Sequence, residues 1–261
     1  MEPIASSINF VRIKAAFRAS TLHLALSAVV AVSVAAMVFF LWYPYPYGDL
    51  AGGRGLFTLI VSIDVICGPL LTLVIFSPTK KRKEIVRDIA VIAVIQLCAL
   101  VYGVVMVWKA RPLYLVAEMD RFKVISSLAL PDDFRRVLPA DLVPGLLNGP
   151  MTIGLRPPKD IEEKNAVMFE SLGGGADYAE RPDFYIPYDV TAGAKMMKRA
   201  LPLASFIAKY PEQSDAANAI AKVLGQSVDA LNYLPVIGRQ DWVAVMDKNG
   251  AIAGFLKGDG F

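Results

Sequence analysis

The chain has little with which to do metal or redox chemistry. Among 261 residues it carries one histidine, His23, and two cysteines, Cys67 and Cys98. A lone imidazole builds no histidine-based metal site, and two cysteines in separate apolar runs lack metal-ligand spacing. Nor can His23, set in a membrane-crossing run, join the serines of the C-terminal half in a Ser-His-Asp arrangement. Residues 109–261 contain no cysteine, so they neither need nor forbid an oxidising compartment. Both cysteines read as small packing residues and His23 as a boundary or helix-packing residue. No cofactor is implied.

Other short motifs also fall short. Gly173-Gly174-Gly175 follows a helical pattern instead of leading from strand to helix, and no Lys-Ser/Thr pair comes after it, so it reads as a helix stop. The DKNG run at 247–250 opens like a calcium loop but lacks the later acidic ligands, which leaves a turn. Glu162, Glu163 and Glu170 read as a solvated helix face. Tyr178, Phe184, Tyr185 and Tyr188 line an aromatic groove or a loop packed on a sheet. There is no internal repeat.

What the sequence has is apolar length. Hydrophobic residues make up 55% of it, the mean hydropathy is +0.47, and the excess lies before residue 109. Runs at 21–43, 55–76 and 89–108 are each long enough, at ~1.5 Å per residue, for the ~30 Å hydrocarbon core. The first exceeds the apolar core of a signal peptide, about 7–15 residues, and continues through VFFLWY, so it reads as an uncleaved anchor.

Charge orients these spans. Up to Trp108 there are nine Lys/Arg against five Asp/Glu, and beyond it eighteen against nineteen. The surplus sits at membrane ends, which indicates topology and argues against nucleic acid as a partner. Lys80, Lys81, Arg82, Lys83 and Arg87 form the densest cluster and belong in the cytoplasm. The expected organisation is a cytoplasmic basic lead-in at 1–19, with Arg12, Lys14 and Arg18 among Ile8, Phe10, Val11, Ile13 and Phe17. A three-helix transmembrane domain at 20–108 follows, then an extracytoplasmic α+β domain at 109–261. Trp42, Tyr43, Tyr45, Tyr47 and Trp108 then fall at the outer interface, where amphipathic rings sit.

In the tail, 113–117 and 121–125 read as a hairpin, 131–158 as irregular with one helical turn, and 159–172 as a helix. Residues 191–208 and 211–224 read as two further helices, the first bent or ended by Pro202 and the second closed by Gly225. Asn249-Gly250 marks a closing hairpin.

One carboxylate lies inside the second run. Asp64 costs on the order of 2.5–3.5 kcal/mol there and needs compensation. It shares a helix face with Gly68 and Thr72, and Pro69 weakens the backbone beside them. By depth, Asp64 and Ser33 lie roughly 18 Å from the cytoplasmic edge and Gln96 roughly 12 Å, so the three are placed to meet. Two readings stand: a polar tie holding the helices together, or a contact for an incoming membrane helix or a proton-linked site. A proton relay needs several ionisable groups, and this run has one.

The order WYPYPY, GGRGLF, IDVICGPLLTLVIFSPTKKRKE, RDIAVIAVIQLCALVYG and ARPLYLVAEMDRFKVI resembles the type IV pilin accessory proteins, also described as fimbrial assembly proteins. It covers residues 41–125. The shared blocks include Tyr43, Pro44, Gly53, Asp64, Gly68, Pro69, Thr72, Pro112, Tyr114, Glu118, Asp120, Arg121 and Phe122. The resemblance implies a bacterial inner-membrane protein, not itself an enzyme, that helps a major pilin reach the surface fibre, with other inner-membrane assembly proteins as further partners. On this reading Asp64, Gly68 and Thr72 meet the pilin's membrane helix, and Glu118, Asp120 and Arg121 sit just above the bilayer. The alternatives are a membrane-bound transferase, for which Asp49, Glu118 and Asp120 are the available outer carboxylates, and a sensor, for which the cytoplasmic portions are short.

Overall fold

The computed structural model describes the backbone of residues 3–261 and side chains from residue 10 onward. The expected lead-in position Ile8 therefore has its side chain outside the described residues. The chain forms two compact units: one is Met1–Phe40 with Arg54–Trp108, the other Leu41–Gly53 with Lys109–Phe261.

In chain order the first helices are α1 (Pro3–Met37), α2 (Tyr47–Leu50), α3 (Gly53–Ile75) and α4 (Arg82–Lys109). A π-helical turn, Val38–Trp42, continues α1. Three stretches, Phe10–Trp42, Gly53–Ile75 and Arg82–Lys109, are long and apolar enough to cross a membrane. The lead-in is not a separate element, because α1 passes through it. The third helix starts at Arg82, ahead of the apolar run, because Arg, Lys and Glu are good helix formers that extend the hydrogen-bond ladder. Pro69 lies within α3 and is buried.

The second unit is built on strands β1 (Pro112–Ala117), β2 (Phe122–Ser126) and β3 (Met151–Leu155). There follow α5 (Ile161–Leu172), β4 (Tyr185–Pro187), α6 (Val190–Met197), β5 (Leu201–Pro202), α7 (Leu203–Lys209), α8 (Ser214–Leu224), β6 (Asn232–Ile237), β7 (Trp242–Met246) and β8 (Ile252–Lys257). The strands make one mixed sheet in the order β4-β3-β1-β2-β6-β7-β8, with β5 also paired to β6. β1 is parallel to β3, and β2 to β6; the remaining pairs are antiparallel.

Side chains alternate between two apolar layers. Leu115, Ala117, Phe122, Leu234, Val236, Trp242, Ala244 and Met246 face one way, covered by Met196 of α6 and by Tyr47 and Leu50 of α2. Tyr114, Val116, Ile125 and Ile153 pack under Leu130, Phe134, Leu138 and Leu142. Tyr233, Val243, Val245 and Leu256 pack under α7 and α8 through Leu203, Phe206, Ala217 and Ala221. With both faces covered, β1 is buried along its whole length.

Two tail expectations change. Residues 131–158 contain β3, which pairs with β1 despite its Pro- and Gly-rich flanks. The helix expected at 191–208 is broken, because Leu201 and Pro202 pair with Tyr233 and Asn232, and Pro202 has no N–H for a helix. β6, with Pro235 inside it, sits in the middle of the sheet.

Candidate functional site

In the helical unit the polar side chains of α3 meet those of α1 and α4. The Gln96 amide on α4 donates to the Asp64 backbone carbonyl at 3.1 Å and to its carboxylate Oδ1 at 3.4 Å. Gly68 is buried one turn along, and a Cβ there would collide with the Gln96 amide. Gln96 therefore reaches Asp64 only because Gly68 leaves room. One further turn along, the Thr72 hydroxyl lies 2.6 Å from His23 Nδ1 on α1, and the Ser20 hydroxyl donates to the Pro69 carbonyl at 2.8 Å.

The expected trio of Asp64, Ser33 and Gln96 is thus met in two members. Ser33 is exposed and its hydroxyl donates to the Val29 carbonyl of its own helix at 2.9 Å, a local bond that serine makes without a neighbour. His23 and Ser20 supply the α1 side of the seam instead. Depth alone could not select them, since it fixes height and not rotation about the helix. Gly68, Pro69 and Thr72 are occupied by the chain's own helices, while Asp64 stays half-buried. Ile63, Ile66 and Leu70 on α3 are exposed, which suits a lipid-facing surface.

Glu118, Asp120 and Arg121 form the β1–β2 turn. The Glu118 N–H donates to the Arg121 carbonyl at 2.9 Å, Arg121 Nε donates to Asp120 Oδ1 at 2.7 Å, and the Arg121 guanidinium lies 4.8 Å from the centre of the Phe261 ring. The hydrogen bond from Arg121 holds the Asp120 carboxyl below its usual range, whereas burial pushes Glu118 up despite nearby Lys123. This turn is at the end of β1 remote from Pro112, which at ~3.3 Å per residue is about 20 Å along the strand.

The aromatic segment 42–47 was expected at a membrane interface. The Trp42 indole N–H donates to the Leu146 carbonyl at 3.0 Å, and Tyr43 is buried against Gly53. Tyr47 packs edge-on to Phe255 at 6.0 Å, and exposed Tyr45 reaches Trp242 at 6.0 Å. Burial pushes the Tyr43 and Tyr47 hydroxyls up, so both rings stay neutral. An amphipathic ring is satisfied by a partly built core as well as by an interface, and Tyr45 and Tyr47 meet the rings of the sheet residues Trp242 and Phe255.

Three helices of membrane-crossing length, tied by polar contacts and followed by an α+β unit that takes in the loop between the first two, define a membrane protein with a split folded domain. The family model described as "Fimbrial assembly protein FimB" matches residues 11–52. Over 259 residues the chain is 34% identical to the fimbrial assembly protein, serogroup E1, of Dichelobacter nodosus, covering 97% of this chain and 99% of that one. The serogroup I protein of the same organism gives the same identity and coverage. The serogroups C1 and C2 protein is 42% identical over 120 residues, 46% of this chain and 92% of its own. No solved structure matches. The chain belongs to the fimbrial assembly protein family, and the similarity runs through the tail beyond Ile125 as well as through the membrane half.

Proposed function

We propose that this protein is an inner-membrane accessory of type IV pilus biogenesis that binds a cognate major pilin both within the bilayer and on its outer side, acting as a helper and not as a catalyst. Its family supports a role in fimbrial biogenesis. The observation that carries the finer reading is the composition of the second unit, which joins Leu41–Gly53 to Lys109–Phe261. Two of the candidate spans lie between those segments. A folded unit cannot straddle lipid, so the loop and the tail share one side, and the basic cluster at 80–87 falls on the other. That supports a periplasmic domain and a cytoplasmic N-terminus.

Within the bilayer the contact narrows to Asp64. A carboxylate has about four acceptor sites, and among the described residues the side-chain bond to it is a long one from Gln96. A half-buried acid in hydrocarbon is stabilised by a further donor, which a docking membrane helix can bring. The Glu118–Arg121 turn, with Lys123, offers the second contact to the pilin head. The test is co-purification of pilin with Asp64→Leu and Asp64→Asn. The leucine variant is expected to lose most of the pilin and the asparagine variant to keep part, with the tail's protease resistance unchanged in both. Equal pilin recovery from all forms would remove the docking role.

A further inference from the structure

Between Asp141 and Arg156 the chain carries no charged residue. In the middle of that stretch, in the loop at 144–149, Leu146 is 66% exposed and Leu147 62%. Single exposed leucines are common on protein surfaces and call for no explanation. These two are set apart by what holds their loop in place.

Three successive carbonyls of the loop accept hydrogen bonds from side chains. Arg135 Nη1 donates to that of Pro144 at 3.0 Å, Arg111 Nη2 to that of Gly145 at 3.2 Å, and the Trp42 indole N–H to that of Leu146 at 3.0 Å. Two of these donors stand where the chain leaves the candidate spans. Trp42 is the last residue of Phe10–Trp42, and Arg111 comes just after Lys109, the last of Arg82–Lys109. Gly149 closes the loop against the same place, since a Cβ on it would come within 3.1 Å of the Pro44 ring and 3.6 Å of the Leu41 carbonyl. Loop and fasteners all belong to the second unit. The loop is therefore tied to two points at which that unit is joined to the bilayer, and its height follows theirs.

We propose that the 144–149 loop dips into the leaflet from which the first and third spans emerge, with Leu146 and Leu147 among the upper acyl-chain carbons of the phospholipid. The folded unit then rests on the bilayer as well as being joined to it by helices. Backbone groups that lose water limit how deep a loop can go, and here the carbonyls of Pro144, Gly145 and Leu146 already have protein donors. A stretch without charges adds no ionic desolvation. Lipid is the occupant, and not a second protein, because the acyl chains around the last turn of the first span already lie beside Trp42. The inference needs the spans to lie in a bilayer and does not depend on pilin docking.

The full chain in phosphatidylcholine nanodiscs, one copy per disc, with a phospholipid bearing a photoreactive diazirine high on its acyl chain, tests this on the native sequence. After illumination, lipid adducts mapped by mass spectrometry are expected at 144–149 on the order of tenfold above those at Met119, given the preference of leucine for an apolar medium. Met119 is the control because it is 86% exposed and lies beyond the far end of β1. In a chain with Cys67→Ala and Cys98→Ala, a spin label at Leu147→Cys should be relaxed more by oxygen than by an aqueous nickel chelate, and one at Met119→Cys the reverse. Photolabelling needs no substitution and carries the test if the labelled variants fail to insert. Adducts at 144–149 no more frequent than at Met119, or a Leu147→Cys label as open to the chelate as the Met119→Cys label, overturns the proposal. A Leu147→Cys label shielded from both reagents overturns it too, because that is the mark of a protein contact.

Discussion

The backbone N–H of Arg239 donates to the carbonyl of Leu50 at 2.7 Å. That bond ties the loop between the first two spans to the β6–β7 turn, and a Cβ on neighbouring Gly238 would strike the same carbonyl at 2.5 Å. Leu50 is fully buried beside Leu115, Phe122 and Leu234. The loop is therefore part of the core of a domain whose remainder begins at Lys109.

Leu50→Ala is expected to destabilise the second unit by about 2–5 kcal/mol, the range for a buried leucine truncated to alanine. The change should appear as faster proteolysis of the tail, far away in sequence. Unaltered tail protection would mean that the loop only rests on the sheet.

Gly68→Ala places a methyl where the Gln96 amide sits, and overpacking of this kind costs about 1–3 kcal/mol. Removing the obstacle with Gln96→Ala should make the double variant more stable than the sum of the two single changes. Thermal unfolding of the full chain in detergent reads the coupling. Strict additivity would show that the two residues do not share this space.

Thr72→Val keeps the shape of the side chain and removes the hydroxyl beside His23. Polar contacts between membrane helices average about 0.6 kcal/mol and reach about 1.7, so a loss within that range is expected in the same assay. No loss would indicate that His23 finds another partner at no cost.

Acid should loosen α5. Arg156 donates two hydrogen bonds to the Glu163 carboxylate, and the Lys159 N–H adds another. Together they lower Glu163 from 4.5 to about 2. A depressed carboxyl stabilises the fold above its unfolded value, and that contribution fades as pH falls from about 4.5 toward 2. Glu118 is raised by burial, so its contribution has the opposite sign and weakens as pH rises through its folded value. Hydrogen exchange of α5 should therefore speed up over the acid window in the native protein and respond less in Glu163→Gln.

Local signals read true where they sufficed alone. The hairpin of β1 and β2 forms about Glu118–Arg121. Gly225 ends α8 in the left-handed region at φ 63°. Asp247 holds the β7–β8 loop by accepting from the Asn249 and Ala251 N–H groups, and Gly250 takes φ 80° there. β3 and β6 were illegible because each exists by pairing with a distant strand, β1 in one case and β2, β5 and β7 in the other. The membrane seam was half legible: a buried acid demands a partner, but which serine, glutamine or histidine turns toward it depends on rotations no composition reports.

By itself the sequence determined the three membrane-length helices, their charge asymmetry, the α+β character of the tail and the family, since apolar length, cation placement and distinctive blocks are written residue by residue. Tertiary structure alone decided that Leu41–Gly53 belongs to the tail's core and that His23 and Ser20, not Ser33, complete the polar seam. Both outcomes depend on surfaces created by chain segments far apart, and a tyrosine or a serine finds its partner only once those surfaces exist.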